Sequence, residues 1–158
     1  MRYLPVVHGQ QVLGVMNATS LMQKHSAWPT ALTAACGISS QHDLTGLIQA
    51  TAKTQELQHS LASANASAHS IGHIMTAITD ALTTRLIELA QAQLGPAPVP
   101  FAGVAAGSQG RSEQTARTDQ DNCLVLDNSY DPAQHGTYFA ALATFVCDGL
   151  HACGYVYC

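Results

Sequence analysis

Two apolar segments separated by a polar loop constrain this chain more than any other feature. The first, residues 99–106, has the length and composition of a buried strand, and residues 123–126 form a second apolar run of strand character. The loop between them begins with Gly107-Ser108 and ends with Asp-Gln-Asp at residues 119–121. The pattern therefore predicts a strand, a Gly-Ser turn, a polar loop and a second strand that carries two aspartates.

The two aspartates suit a metal site. Because alternate residues of a strand point to one face, the side chains of Asp119 and Asp121 would project together from Cα atoms roughly 6.6 Å apart. Two carboxylates at this spacing can hold a pair of divalent cations about 4 Å apart, the arrangement used in phosphoryl and nucleotidyl transfer. The Gly107-Ser108 turn offers backbone N–H groups and a hydroxyl to phosphates. The alternative is a polar hairpin loop whose Asp and Asn side chains cap their own turns.

The order of residues in this segment resembles that of a known family. Gly-Ser, ten intervening residues and Asp-x-Asp are similar to the signature of the DNA-polymerase-beta-like nucleotidyltransferases. The fuller strings, Gly-Ser-x-Gly-Arg-x-Glu and Thr-Asp-Gln-Asp-Asn, resemble a narrower group, the nucleotidyltransferase domains found with CBS domains in bacterial signalling proteins. Those domains are relatives of the N-terminal domain of PII-protein uridylyltransferase.

This resemblance implies an enzyme, a uridylyltransferase-like nucleotidyltransferase that is incomplete in this chain. It would transfer UMP or AMP from a nucleoside triphosphate to a hydroxyl of a protein or a small molecule, with two Mg²⁺ ions as cofactors. The alternative, from a different functional class, is a catalytically inactive module that senses nucleotide and passes its state on through the helices.

The resemblance also implies which residues form the site. The expected catalytic and metal-binding residues are Asp119 and Asp121, and the expected nucleotide-binding residues are Gly107, Ser108, Gly110 and Arg111. Arg111 would offer phosphate a forked positive charge that Lys could not match in geometry. Glu113 is expected to pair with Arg111 or the loop, with a role as a metal ligand as the alternative.

A third carboxylate usually completes the metal site of this superfamily. The acidic candidates after the pair are Asp127, Asp131 and Asp148. Asp127 follows the strand too closely, Asp131 resembles a helix cap, and Asp148 lies in a predicted helix. We therefore expect the missing ligand to lie beyond Cys158. The family continues past the matching Gly-Tyr-x-x-Cys string, so we expect this chain to be a fragment whose third strand begins at residues 155–158.

The remaining segments predict an α+β chain: a long helical segment, then an incomplete polymerase-beta-like sheet with flanking helices. Residues 1–25 resemble the closing strand-strand-helix of a CBS domain, with strands at 2–7 and 11–16 and a helix at 17–24. Ser20 stands where that family commonly has a ribose-binding Asp, so adenylate binding is not expected. We assign residues 26–96 to a helical linker or bundle and 97–158 to a truncated nucleotidyltransferase core.

Helix signals divide the middle and the end of the chain. We expect a helix at 30–36 stopped by Gly37, and a helix started by a capping signal at Ser40-x-x-Asp43 whose apolar spacing loosens at 53–56. Apolar residues then recur every three or four positions until Gly95-Pro96. Asp131-Pro132 should begin the last helix and Gly154 should end it.

Two further clusters admit a metal interpretation. His69 and His73 lie four residues apart on one predicted helix, a spacing that suits a transition metal, although solvated or capping histidines are the preferred interpretation. The second cluster consists of Cys147, His151, Cys153 and Cys158, whose spacing matches none of the usual zinc motifs. Small core cysteines are preferred there.

Composition excludes several classes of protein. A formal charge of −4 and only six Lys plus Arg argue against a nucleic-acid surface. No apolar run approaches the roughly 20 residues of a membrane span, and no secretory pattern begins the chain. Five cysteines without a disulfide framework fit a reducing cytoplasm. We expect a cytoplasmic protein with a nucleotide substrate and a protein among its candidate acceptors; a homodimer stays open.

Overall fold

A computed structural model describes residues 3–9, 11–17 and 33–158 of the chain. Its elements, in order, are β1 (Tyr3–His8), β2 (Gln11–Asn17), α1 (33–39), α2 (Leu44–Thr51), α3 (Thr54–Ser63), α4 (Ala68–Leu94), β3 (Phe101–Ala105), α5 (Gly107–Gly110), β4 (Asn122–Leu126) and α6 (Pro132–Ala152). The expected α+β class is confirmed.

The first two strands form an antiparallel hairpin. The register runs from Tyr3 opposite Asn17 to His8 opposite Gln11, and Gly9 in the turn has the left-handed φ of +63°. The strands lie within two residues of the predicted bounds. Of the helix predicted at 17–24, Asn17 ends β2 and the other positions fall outside the described residues.

Two short helices differ from prediction, α1 in where it ends and α2 in the residue that caps it. Residues 30–32, where the first helix was expected to begin, lie outside the described residues. Gly37 does not stop α1, because its φ is not positive and the helix continues to residue 39. Asp43 rather than Ser40 caps α2, since its side chain accepts a hydrogen bond of 2.8 Å from the N–H of Gly46.

The loosened spacing at 53–56 marks a real break between α2 and α3. The hydroxyl of Thr54 donates to the carbonyl of Thr51 at 2.8 Å, the acceptor that an uninterrupted helix would offer to the backbone of residue 55. The side chain thus replaces a helical backbone bond, and the chain turns at residues 52–53.

The core lies where α4 packs against α6. Leu82 and Leu86 of α4 and Leu142 of α6 are fully buried. Gly149 of α6 allows this close approach, because an added Cβ there would lie 2.5 Å from Cδ2 of Leu86. The predicted apolar side of α4 is confirmed by the burial of Ile74, Met75, Ile78, Leu82, Leu86 and Ala90.

The predicted end of α4 and both predicted boundaries of α6 are also confirmed. Gly95 ends α4 with a φ of +88°, and Gly154 follows α6 with a φ of +101°. The Asp131 side chain accepts a hydrogen bond of 2.9 Å from the N–H of Ala133, with Pro132 in the first turn.

The second sheet has two antiparallel strands, with Phe101 opposite Leu126 and Ala105 opposite Asn122. The prediction of a buried strand at 99–106 was wrong in two respects: β3 is shorter, and residues 102–104 are exposed. Phe101 packs edge-on against Phe139 of α6, and strand alternation turns the exposed Ala102 and Val104 to the opposite face of the sheet. The expected third strand is present only as a parallel bridge between Asp119 and Val156.

Across the described part of the chain, no helix combines the length and the apolar character needed to cross a membrane.

The contact at Gly149 generates a test of the core. Gly149→Val should lower the free energy of unfolding by about 1–3 kcal/mol, because the added methyl groups would overlap the fully buried Leu86 side chain. Gly136→Val in the same helix is the matched control and should change stability by less than about 0.5 kcal/mol, since the nearest atom to an added Cβ is the Tyr130 hydroxyl at 3.5 Å. Urea denaturation measures both; equal losses would contradict this account of the helix contact.

Candidate active site

Asp119 and Asp121 lie just before β4 rather than within it, and their side chains converge. The Asp121 carbonyl accepts a hydrogen bond of 2.8 Å from the N–H of Ala106, which extends the β3–β4 pairing by one step. Asp119 bridges Val156 on the other side. The chain is thereby held between two neighbours, and one carboxylate oxygen of each aspartate and the Cys158 sulfur all lie within 4.8 Å of one another.

Gly107 faces the Asp121 carboxylate directly. A Cβ built on Gly107 would overlap that carboxylate and lie 2.7 Å from its Cγ. The φ of Gly107 is +52°, in the left-handed region that favours glycine. Both the space and the backbone conformation therefore require glycine here, and the Gly-Ser turn lies against the acidic pair.

The turn α5 presents backbone donors on the side of the acidic pair. The N–H of Gly110 bonds the carbonyl of Ala106 at 2.8 Å and closes the turn. Within the described residues, the N–H groups of Gly107, Ser108 and Gln109 have no protein acceptor. Three free donors beside two carboxylates can bind an anion whose charge is balanced by a cation.

Arg111 and Glu113 form the expected pair, with Nε and Oε2 2.9 Å apart. Both side chains are 63% exposed, so this ion pair contributes less than about 1 kcal/mol and leaves the guanidinium able to reorient. The turn is tied to α4 by the Gln109 amide, which donates to Asp80 at 2.8 Å.

Gln120 holds the segment between the two aspartates in place. Its side-chain amide donates to the carbonyl of Cys147 at 3.1 Å and to that of Tyr155 at 3.0 Å, and its backbone N–H donates to Val156 at 3.1 Å. In the sequence, Gln120 departs from the apolar residue that is usual between two such aspartates and matches the narrower Thr-Asp-Gln-Asp-Asn string, and neither observation predicted these contacts. The available signal was strand alternation, which turns residue 120 toward the interior when its neighbours face solvent.

The last residues are positioned by the core and carry shifted acidities. Tyr155 is buried, its hydroxyl lies 3.0 Å from that of Thr79, and burial raises the pKa of Tyr155. The exposed Cys158 lies beside Asp121, whose negative charge raises the pKa of this thiol. Without a cation nearby, Cys158 therefore stays protonated.

The other acidic candidates have structural roles. Asp127 accepts hydrogen bonds from the hydroxyl and the N–H of Ser129, which lower its pKa. Asp131 caps α6, and the N–H of Ala133 is the main cause of its lowered pKa. Asp148 accepts a hydrogen bond of 2.6 Å from the Tyr157 hydroxyl.

The alternative metal clusters do not form. Among the described residues, the group of three or more potential ligands that converges is Asp119, Asp121 and Cys158. Cys147 and Cys153 are half-buried and burial raises the pKa of both thiols, which fits structural cysteines better than a zinc site. The rings of His69 and His73 make an edge-to-face contact with centroids 4.3 Å apart, without a third ligand.

The donor set at the acidic pair fits a divalent cation. Carboxylate oxygens are the ligands that Mg²⁺ prefers, and the Asp121 carboxylate occupies the space that a side chain at residue 107 would fill. Asp119, Asp121, Gly107 and Ser108 are thus brought together by the structure, while Arg111 lies at the far end of the same turn.

The Gln120 contacts predict a measurable effect on stability. Gln120→Leu keeps the side chain's size but removes the amide that donates to the Cys147 and Tyr155 carbonyls, so the free energy of unfolding should fall by about 1–3 kcal/mol. Gln55→Leu, on an exposed position of α3, should stay within about 0.5 kcal/mol of wild type. Chemical denaturation monitored by circular dichroism separates the two; an unchanged Gln120→Leu protein would refute the role given to this amide.

Comparison with known proteins identifies the family of this chain. The sequence profile of the family described as "Putative nucleotidyltransferase DUF294" matches residues 52–158, about two thirds of the chain. No curated protein and no solved structure matches the chain. The matched region contains α4, the Gly-Ser turn, both aspartates and α6. The chain therefore belongs to the DUF294 family of nucleotidyltransferase-type proteins.

Proposed function

We propose that this protein transfers a nucleoside monophosphate, UMP or AMP, from a nucleoside triphosphate to a hydroxyl of a protein or small molecule, in the manner of PII-protein uridylyltransferase. The observation that carries the proposal is the convergence of the Asp119 and Asp121 carboxylates opposite Gly107. Membership of a nucleotidyltransferase family supports the class of reaction. The nucleotide, the acceptor and Mg²⁺ as the metal are parts of the proposal.

In this proposal, Asp119 and Asp121 hold the metal. Bound divalent cations would polarise the phosphate oxygens, lower the pKa of the acceptor hydroxyl and offset the charge that develops on pyrophosphate. The free N–H groups of Gly107, Ser108 and Gln109 would donate to the phosphates, and Gly110 keeps the turn compact. Arg111 would leave its weak pairing with Glu113 to add positive charge to the nucleotide.

The transfer itself is an in-line displacement. The acceptor oxygen forms a bond to the α-phosphorus as the bond to pyrophosphate breaks, and the hydroxyl proton passes to solvent. The protein contributes position and charge, because the short turn and the clamped acidic segment set the nucleotide's location before reaction.

The alternative is a nucleotide-sensing module without catalysis. It is favoured by one observation: among the described residues, the acidic pair converges with Cys158 and not with a third carboxylate. The hydrogen bond between Gln109 and Asp80 would then connect a bound nucleotide to α4.

The domain assignment is proposed as well: residues 1–25 as the end of a CBS domain, 26–96 as a helical linker or bundle and 97–158 as the nucleotidyltransferase core. The antiparallel pairing of β1 with β2 supports the first assignment. A cytoplasmic location and a protein acceptor remain predictions from sequence.

Removing either carboxylate tests the function. Asp119→Asn and Asp121→Asn should each weaken Mn²⁺ binding at least tenfold and lower transfer of α-labelled nucleotide by roughly 100-fold, because a neutral amide balances no cation charge. Asp127→Asn is the matched control, since the side chain of this exposed aspartate accepts its hydrogen bonds from Ser129 in its own turn. Electron paramagnetic resonance of free Mn²⁺ and label transfer from ATP and UTP measure the two effects.

The outcomes separate the readings. Metal-dependent binding of nucleotide without transfer of the label would favour the nucleotide-sensing module. Label transfer that survives both substitutions would refute the assignment of this site.

The turn itself can be tested through Gly107. Gly107→Ala should abolish the carboxylate arrangement, because its Cβ would overlap Asp121 and its φ is unfavourable for alanine. Mn²⁺ affinity should fall at least tenfold while the far-ultraviolet circular dichroism spectrum stays unchanged. Gly37→Ala serves as control, since an added Cβ there meets nothing within 4 Å. Equal Mn²⁺ affinity in Gly107→Ala and wild type would show that this glycine is not part of the site.

A further inference from the structure

The thiol of Cys158 lies within ligand distance of the acidic pair. Its sulfur is 3.6 Å from Oδ1 of Asp121 and 4.0 Å from Oδ2 of Asp119. The acidic side chains that follow the pair and could have supplied another oxygen are engaged elsewhere: Asp127 with Ser129, Asp131 with α6 and Asp148 with Tyr157.

These separations match those of donors that share one metal ion. A sulfur and an oxygen bound to one tetrahedral zinc ion at about 2.3 and 2.1 Å lie roughly 3.6 Å apart. The sulfur of Cys158 meets this spacing to Asp121 and exceeds it by a few tenths of an ångström to Asp119. A small side-chain adjustment would therefore bring all three donors to one cation.

The backbone before Cys158 is fixed by contacts with the segment that carries the aspartates. Tyr155 is anchored in the core by burial and by its contact with Thr79. Its carbonyl accepts from the Gln120 side chain, and the next carbonyl, of Val156, accepts from the Gln120 backbone. The position of the thiol relative to the carboxylates is thus set by the same hydrogen bonds that hold the aspartates.

We propose that Cys158 is a third protein ligand of the Asp119–Asp121 metal centre. The proposal rests on the proposed function, which assigns the two aspartates to metal binding. On coordination, the sulfur bonds to the cation as a thiolate and its proton is released to solvent. A thiolate favours borderline-soft cations such as Zn²⁺ and Co²⁺, so the ion that touches Cys158 would be held more tightly as Zn²⁺ or Co²⁺ than as Mg²⁺.

The test is a Co²⁺ titration of the full chain under reducing conditions. A thiolate-to-cobalt charge-transfer absorption band should grow during the titration. Its absorbance should saturate at the value expected for one cobalt-bound thiolate per chain. Cys158→Ser and Cys158→Ala should lose the band and bind Co²⁺ at least about tenfold more weakly, a larger loss than the same variants show for Mn²⁺, because the thiolate prefers the softer cation. Cys123→Ser, an exposed cysteine of β4 outside the group, should keep the band.

A second measurement needs no variant. Zn²⁺ should slow alkylation of Cys158 by iodoacetamide at least tenfold, as followed by peptide mass spectrometry, and should leave Cys36 and Cys123 unaffected because both are exposed and lie outside the group. This comparison keeps the proposal testable if a Cys158 variant fails to fold.

The outcomes distinguish the two proposals. No band and no alkylation protection, with Mn²⁺ binding still dependent on Asp119, would overturn the role of Cys158 and leave the transferase proposal standing. A band that persists in Cys158→Ser would also overturn it, since another thiol would be the ligand. Binding of Mn²⁺ and Co²⁺ that is indifferent to Asp119→Asn and Asp121→Asn would overturn both.

Discussion

The close packing of α4 against α6 is the constraint on which the second sheet and the site at its edge depend. The strand β3 follows α4, and β4 leads into α6, so the contact between the helices sets where the two strands can pair. Gly149 makes this contact possible by leaving room for the buried Leu86. Burial of large aliphatic side chains supplies most of the favourable free energy of folding in such a core. This free energy offsets the repulsion between the carboxylates of the site at its edge.

That site concentrates like charge. The carboxylates of Asp119 and Asp121 lie together at a solvent-facing position. Their negative charges repel each other unless a cation lies between them. The hydrogen bonds of Gln120 and the backbone pairing of Ala106 and Val156 hold the segment against this repulsion. These hydrogen bonds thus hold a surface acidic pair in position, which is what a metal-dependent site requires.

The helical segment and the site share several contacts. An added Cβ at Gly72 of α4 would lie 2.5 Å from the carbonyl oxygen of Ser112, so the helix touches the loop backbone. The Gln58 side chain of α3 accepts from the N–H of Ala116, and Asp80 accepts from Gln109. The family match, which begins at residue 52, includes the helical residues that make these contacts.

Local chemistry was enough to predict several elements of this protein. Interactions within a few residues determine the caps at Asp131 and Gly95 and the apolar side of α4, so these features could be predicted from the sequence. The order Gly-Ser, loop, Asp-x-Asp is visible in the sequence itself. Tertiary contacts decided the rest: the exposure of β3, the hydrogen bonds of the Gln120 side chain to Cys147 and Tyr155, and the approach of Cys158 to two aspartates 37 and 39 residues away. A pattern of neighbours cannot show which faces a two-stranded sheet leaves open or which distant side chains meet, because both depend on how α4 and α6 pack.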